Sequence, residues 1–215
     1  MNLAGALLER AARATPATEE DRTSGWWIRH TDGNDWWSGA VLAHDDGRFI
    51  ERIERAERFY AERHAVARFQ ICPGCPPGLD DVLAARGYRW AAPVSLLIRE
   101  AGPLDARPAA GLDVRLRAEL TSAYVTVSAD RGPVAIGRAV ADDGWTGVFG
   151  MATAPGARRR GAARLVLAAI AGWARRQDAP RLYLQVEQSN AAARRVYAAA
   201  GFTELATYHY RFGLA

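Results

Sequence analysis

The sequence contains no lysine, because all 28 basic residues among its 215 residues are arginine. Without lysine, no Schiff base or lysine nucleophile is available, and every permanent cation is a planar guanidinium suited to phosphate and carboxylate. No apolar run approaches the roughly 20 residues of a membrane-spanning helix. The first 15 residues have a charged amphipathic pattern, which differs from that of a signal peptide. We therefore predict a soluble, cytoplasmic protein with no membrane partner.

Cysteine and histidine are too few and too scattered to indicate a metal site. Cys72 and Cys75 form a single Cys-Pro-Gly-Cys motif, which supplies half of a zinc site, and the sequence has no second pair. A redox motif places its first cysteine at a helix N-terminus, whereas Pro76 and Pro77 follow this one. Two reduced thiols in a turn are the simpler interpretation, and we expect no metal ion.

The positive charge is concentrated in the second half of the chain. Residues 1–110 hold 14 arginines and 16 acids, a net charge of −2, whereas residues 111–215 hold 14 arginines and 8 acids, a net of +6. Six of these later arginines lie at one turn and along the helix that follows it. A focused anion site explains this clustering better than an extended groove for nucleic acid does. We expect no nucleic-acid partner.

The stretch from Trp145 to Phe202 is predicted to form a strand, a basic turn, a long apolar helix, a second strand and a short helix. A helix N-terminus leaves its first amide groups unpaired and carries partial positive charge. Small residues there let a phosphate approach the backbone, and arginines add charge. The residues that combine these properties are Arg158, Arg159, Arg160, Gly161, Ala162, Ala163 and Arg164. They predict a phosphate site, although an arginine-rich helix start on a solvated surface is the alternative.

Hydrophobic periodicity and turn residues predict the remaining elements. Helices are expected over residues 2–14, 48–64 and 77–86, and residues 15–24 and 101–111 are expected to be a loop and a linker. Strands are expected over residues 25–30, 36–44, 67–72, 93–99, 112–116, 123–129, 134–141 and 206–212.

The two halves of the chain resemble each other at three places. Residues 37–41, 68–71 and 84–88 are similar to residues 145–149, 183–186 and 198–202, with nearly equal spacing. Asp45, Asp46 and Gly47 stand where the basic turn would be. We interpret this as a duplication, with a degenerate half over residues 1–110 and a complete domain over residues 111–215. One cofactor site is therefore expected rather than two, and chance similarity is the alternative.

The pattern Arg-x-x-Gly-x-Ala after a strand, followed by Asn-x-x-Ala-x-x-x-Tyr-x-x-x-Gly-Phe ending at Phe202, resembles the GNAT superfamily of acyl-coenzyme A-dependent N-acyltransferases. The resemblance covers about Ala123 to Phe212. It implies an α/β (α+β) fold with a mixed, mostly antiparallel central sheet flanked by helices, here in a tandem arrangement. In that fold the fourth and fifth strands splay apart, and coenzyme A lies between them.

The resemblance also implies roles for particular residues. The backbone of Met151, Ala152 and Thr153 would bond the pantetheine arm, the turn from Arg158 to Arg164 would hold the pyrophosphate, and Asn190 would contact the cofactor. Tyr197 would protonate the leaving thiolate, since a phenol with a pKa of about 10 keeps its proton at neutral pH. The alternative for Tyr197 is a helix residue that packs on the sheet.

Two departures from the family pattern affect the acceptor side. Gln185 stands where many members have a glutamate base; Glu187, two residues along on the same strand face, is the candidate substitute, and a water relay to Asp142 or Asp143 is the alternative. Only residues 112–122 are available for the helices that usually wall the acceptor pocket. The first half, or a second subunit, would then supply that wall.

These observations predict an enzyme, an N-acetyltransferase that moves an acetyl group from acetyl-CoA to a primary amine on a small molecule or a protein. The alternative is a non-catalytic sensor or scaffold that binds acyl-CoA. A homodimer is left open.

Overall fold

The computed structural model describes residues 2–23, 25–32, 36–43, 49–104, 106 and 110–214. Its helices are α1 (Leu3–Ala14), α2 (Phe49–Ala61), α3 (Leu79–Ala85), α4 (Ala162–Arg176) and α5 (Ala191–Ala199). Its strands are β1 (Glu19–Asp21), β2 (Ile28–His30), β3 (Val41–Leu42), β4 (Arg68–Ile71), β5 (Arg89–Arg99), β6 (Asp113–Ala118), β7 (Ser122–Ala129), β8 (Gly132–Asp142), β9 (Trp145–Thr153), β10 (Arg181–Glu187) and β11 (Thr203–Phe212). Short 3₁₀ turns cover Trp36–Gly39 and Pro155–Ala157.

The chain forms two compact units. Unit 1 comprises Met1–Ser95 together with Ala206–Ala215, and unit 2 comprises Leu96–Leu205. The strand that closes the chain, β11, therefore has most of its residues in unit 1, while the last four residues of β5 belong to unit 2. The internal repeat in the sequence places a domain boundary at residue 110, and this domain boundary stays a prediction.

Unit 2 is built on a sheet that is antiparallel from β6 through β9 and parallel between β9 and β10. Strand alternation turns Ala123, Val125 and Val127 of β7 to one face, where they are buried with Val166 and Ile170 of α4. Because side chains alternate along a strand, the residues between them lie on the opposite face, which we call the outer face. This mixed, mostly antiparallel sheet with flanking helices is the predicted fold class.

Unit 1 contains a smaller version of the same arrangement. Strand β3 pairs in parallel with β4, and β4 pairs antiparallel with β11. Trp26, Ile53 and Phe69 are buried in its core, with α2 and α3 contributing to the same cluster. A parallel pair flanked by an antiparallel strand thus occurs in both units. Asp45, Asp46 and Gly47, which stand in place of the basic turn, lie outside the described residues.

Two predictions for the first half were wrong. Residues 36–44 were expected to form one strand, but the chain first makes a 3₁₀ turn over Trp36–Gly39, and of the described residues 36–43 only Val41–Leu42 form a strand. Residues 15–24 were expected to be a loop, yet β1 pairs antiparallel with β2. The polar Glu19–Asp21 segment has no apolar alternation, so its strand comes from pairing with a neighbour rather than from burying a face.

Candidate active site

Strand β9 carries a bulge at the point where the predicted cofactor residues begin. Arg138 of β8 lies opposite Phe149, but Ile136 lies opposite Ala152, so β9 has one extra residue in this interval. Gly150 adopts φ +58° there, a conformation that glycine takes without strain. A bulge bends its strand and re-aims the residues that follow. Met151, Ala152 and Thr153 therefore run in a direction set by this bend.

The two parallel strands of unit 2 separate just before the bulge. Among the described residues, the paired register joins Trp145–Val148 of β9 to Arg181–Leu184 of β10 and ends there. Strand β9 continues to Thr153 and β10 to Glu187. Backbone groups on strand segments that have lost their neighbour are available to a ligand. We call the segments beyond the pairing, residues 149–153 of β9 and residues 185–187 of β10, the two arms. The splay that the family resemblance implies is thus present between these two arms.

The basic turn leads from β9 into α4. Gly161 is the residue before the helix, with φ +81°, and a Cβ atom placed there would have no described atom within 4 Å. Arg159 also has a positive φ, of 61°, which is uncommon for a residue with a side chain and concentrates at functional sites. Arg158, Arg159, Arg160 and Arg164 are exposed, while Ala162 is buried and Ala163 half-buried. The open backbone and the exposed guanidinium groups fit a phosphate group.

Tyr197 lies on α5 with 7% of its surface exposed and belongs to the core of unit 2. Its ring packs edge-on against Phe202, with centroids 5.8 Å apart. Burial raises the pKa of its phenol above the usual value of about 10, because a phenolate is poorly solvated there. The side chain therefore holds its proton throughout the neutral range. It also packs in the core of unit 2, as the alternative interpretation expected, and its role as an acid stays a prediction.

Asn190 has a structural task that the sequence pattern does not show. It is the N-cap of α5, and its Oδ1 accepts a hydrogen bond of 3.0 Å from the Ala193 amide. An N-cap of this kind contributes about 1 kcal/mol to helix stability. The oxygen keeps a second lone pair, so a cofactor could contact either this oxygen or the amide nitrogen of the same exposed side chain.

The candidate bases lie at opposite ends of the strand pair. Glu187 ends β10 on the arm beyond the splay, is exposed, and accepts a 3.2 Å hydrogen bond from the Ser189 hydroxyl. Asp142 and Asp143 lie beside Trp145, where β9 begins. Phe149, where the strands separate, lies four positions after Trp145, which is about 13 Å along a strand. The geometry favours Glu187 over a relay through the two aspartates.

Sequence patterns missed the part of the site on the outer face. Phe149 and Tyr183 pack edge-on at 6.1 Å, and a Cβ atom at Gly147 would lie 2.5 Å from the first ring and 2.7 Å from the second. Glycine at position 147 thus makes room for both rings. The guanidinium of Arg138 lies 5.8 Å from the centroid of the Phe149 ring. Strand alternation places these residues on one face, but only the register shows that they are neighbours.

The segment over residues 112–122, which is too short to supply both pocket helices, lies within the described residues. This segment forms β6 from Asp113 to Ala118 instead of a helix. In the part of the chain that the structure describes, no helix is long and apolar enough to span a membrane. No cluster of three or more histidine, cysteine or acidic side chains suited to a metal ion occurs in that part either.

A parallel strand pair that separates in front of an open, arginine-rich helix start is the architecture of an acyltransferase that uses a coenzyme A thioester. The family described as the acetyltransferase (GNAT) family matches residues 92–202, just over half of the chain, and the chain belongs to this family. It is therefore an N-acetyltransferase in the general sense of that family, whose members use acetyl-CoA.

The similarity to known proteins covers most or all of this chain. The uncharacterized N-acetyltransferase YobR of Bacillus subtilis (strain 168) is 25% identical, over 95% of this chain and 96% of its own length. A GCN5-related N-acetyltransferase from Kribbella flavida has a TM-score of 0.80 at 18% identity and covers 100% of this chain and 97% of its own. A tandem GNAT protein from the clavulanic acid biosynthesis pathway has a TM-score of 0.68 at 13% identity, covering 87% and 78%. These structures share the fold, and the tandem protein supports the duplicated arrangement.

Proposed function

We propose that the protein transfers the acetyl group of acetyl-CoA to a primary amine by direct attack, with Tyr197 as the acid for the leaving thiolate. The observation that carries this proposal is the splay between β9 and β10, which has the basic turn at one end. Backbone groups of Met151, Ala152 and Thr153 bind the pantetheine arm. The first amides of α4 and the guanidinium groups of the turn bind the pyrophosphate.

In the reaction, the amine nitrogen forms a bond to the thioester carbon and the carbon–sulfur bond breaks. The Tyr197 hydroxyl gives its proton to the departing sulfur, and the nitrogen loses a proton to Glu187 directly or through water. A thiol has a pKa of about 8.5, whereas burial raises the pKa of Tyr197 above 10. Full transfer to the thiolate is therefore uphill by about 2 kcal/mol or more, so the proton moves as the bond breaks and the phenolate is quickly reprotonated.

The test is Tyr197→Phe, which keeps the ring that packs on Phe202 and removes only the hydroxyl. Loss of a general acid lowers kcat by roughly 10²- to 10⁴-fold, whereas CoA binding measured by calorimetry stays within about twofold of wild type. Val196→Ala, on the same helix and half-buried, is the control for disturbed packing. Full activity in Tyr197→Phe contradicts the role of the hydroxyl.

The alternative is a protein that binds acyl-CoA without turning it over. Two observations favour it: Gln185 occupies the usual position of the base, and Glu187 is exposed at the end of its strand. Acetyl-CoA turnover over a panel of amines separates the two functions. Tight CoA binding with no transfer to any amine supports the binding protein, and absence of CoA binding overturns both proposals.

A further inference from the structure

A row of side chains crosses the outer face of unit 2 and ends where β9 and β10 separate. Tyr124 of β7 lies opposite Arg138 of β8, and Arg138 lies opposite Phe149 of β9. The Phe149 ring then packs on Tyr183 of β10. Residues directly opposite on neighbouring strands have Cβ atoms about 5 Å apart, so the row is continuous over four strands.

The side chains in this row become more buried toward the point where β9 and β10 separate. Tyr124 is 43% exposed, Arg138 and Phe149 are half-buried, and Tyr183 is 1% exposed. The exposed end opens into a groove of about 800 Å³ lined by Arg115, Leu116, Arg117, Glu119, Tyr124 and Thr126. An acceptor with its amine at the splay would therefore extend over Phe149 and Arg138 toward this groove.

The charges along this path are mainly positive. Arg115 and Arg117 pair with Asp113 and Glu119 at 3.2 Å each, through side chains that are mostly exposed, and such surface pairs are weak. Arg138 lies deeper than these two arginines, because it is half-buried with Tyr124 and Phe149 opposite it on the neighbouring strands. A guanidinium in partly desolvated surroundings repels a polycation and binds a carboxylate through two parallel hydrogen bonds.

The spacing also fits an acceptor with two functional groups. Neighbouring strands lie about 4.8 Å apart, so the midpoint between β9 and β10 is roughly 7 Å from β8. The terminal amine and carboxylate of a dipeptide are separated by a similar distance, and an apolar side chain between them would contact the Phe149 ring. A polyamine or an aminoglycoside offers no anion for Arg138.

We propose that the acceptor is a primary amine that also carries a carboxylate, and that Arg138 binds this carboxylate. The inference rests on the proposed function and adds the acceptor class to it. Short peptides and amino acids belong to this class, and polycations are excluded from it.

The test compares glycyl-phenylalanine with its C-terminal amide, two acceptors whose amines are alike and whose other end differs by one charge. Acetylated product is measured by mass spectrometry, with putrescine as the polycation. The free acid is expected to have a kcat/KM roughly 10- to 100-fold above that of the amide, the range for a charged hydrogen bond. In Arg138→Gln this ratio falls to about one, while CoA binding is unchanged.

The matched control is Arg131→Gln, which removes the same charge from the exposed turn between β7 and β8 and keeps the wild-type ratio. Equal rates for the acid and the amide in the wild-type protein overturn the inference and leave the proposed function intact. If none of the three acceptors is acetylated, the panel of amines described above decides the proposed function. The inference is then decided by calorimetry of both peptides with the CoA-saturated protein, where equal affinities overturn it.

Discussion

Two glycines on neighbouring strands face opposite sides of the unit 2 sheet, and replacing each by alanine should affect a different substrate. A Cβ atom at Gly137 would lie 2.6 Å from Val166 Cγ1 and 2.7 Å from Met151 Sδ, on the α4 side. A Cβ atom at Gly147 would instead lie 2.5 Å from Phe149 and 2.7 Å from Tyr183, on the outer face. Contacts this short force neighbouring groups to shift.

The expected size of the effect follows from two opposing terms. Overpacking a core with one methyl group costs about 1–3 kcal/mol. Alanine also reduces the conformational entropy of the unfolded chain, which stabilises the folded state by about 0.4–1 kcal/mol where the backbone permits alanine. The backbone permits it here, since neither glycine has a positive φ. A net loss of about 1–2 kcal/mol lowers the Tm by roughly 2–8 °C for a chain of this size.

The functional effects should separate the two variants. Gly137→Ala displaces Met151 on the cofactor arm, so the KM for acetyl-CoA should rise several-fold more than the KM for the amine. Gly147→Ala displaces Phe149 and Tyr183, so the opposite pattern is expected. Thermal denaturation and steady-state kinetics with each substrate varied provide the measurements. If both variants raise the same KM, the proposed positions of acetyl-CoA along Met151 and of the acceptor over Phe149 are wrong.

Two further predictions concern charged groups. Arg160→Gln should weaken CoA binding about tenfold, as for the loss of one charge-assisted hydrogen bond at an exposed site. It should leave binding of phosphate-free acetyl-pantetheine unchanged, and Arg195→Gln on α5 is the control. Asp80 accepts hydrogen bonds from Arg211 and His209 at 2.7 and 2.9 Å, and mainly the Arg211 bond lowers the pKa of its carboxyl. Asp80→Asn should therefore lower the Tm at pH 7, and its difference from wild type should shrink as the pH falls below about 4; a constant difference down to pH 2 contradicts this linkage.

The second half of the chain was predictable because its signals are local. Apolar alternation in β7 and β8 and the apolar periodicity of α4 follow from the faces that they bury, and glycine marks the start of α4. The buried phenol of Tyr197 could be anticipated from its place in the motif. Its raised pKa could not, since that depends on the Phe202 ring and on the core around it.

The first half was harder because its short elements depend on pairing partners far along the chain. Val41 and Leu42 are extended because they lie beside Phe69 and Gln70 of β4, a contact that no local pattern specifies. The two tryptophans before them favour a strand by propensity alone. The outer-face row has the same origin, because the register of β8 against β9 includes a bulge that shifts every pairing after it.

The two parallel strand pairs also explain why one cofactor site is expected per chain. In unit 2, β9 continues five residues past its last pairing with β10 and is bent by Gly150, which provides an arm for the pantetheine. In unit 1, β3 consists of Val41 and Leu42, and both residues are paired with β4. Among the described residues, which after residue 43 resume at residue 49, β3 has no such arm. Calorimetric titration with CoA should therefore saturate at one molecule per chain, and Arg159→Gln together with Arg160→Gln should weaken that single step. A second equivalent of similar affinity, retained in the double variant, would show that unit 1 also binds the cofactor.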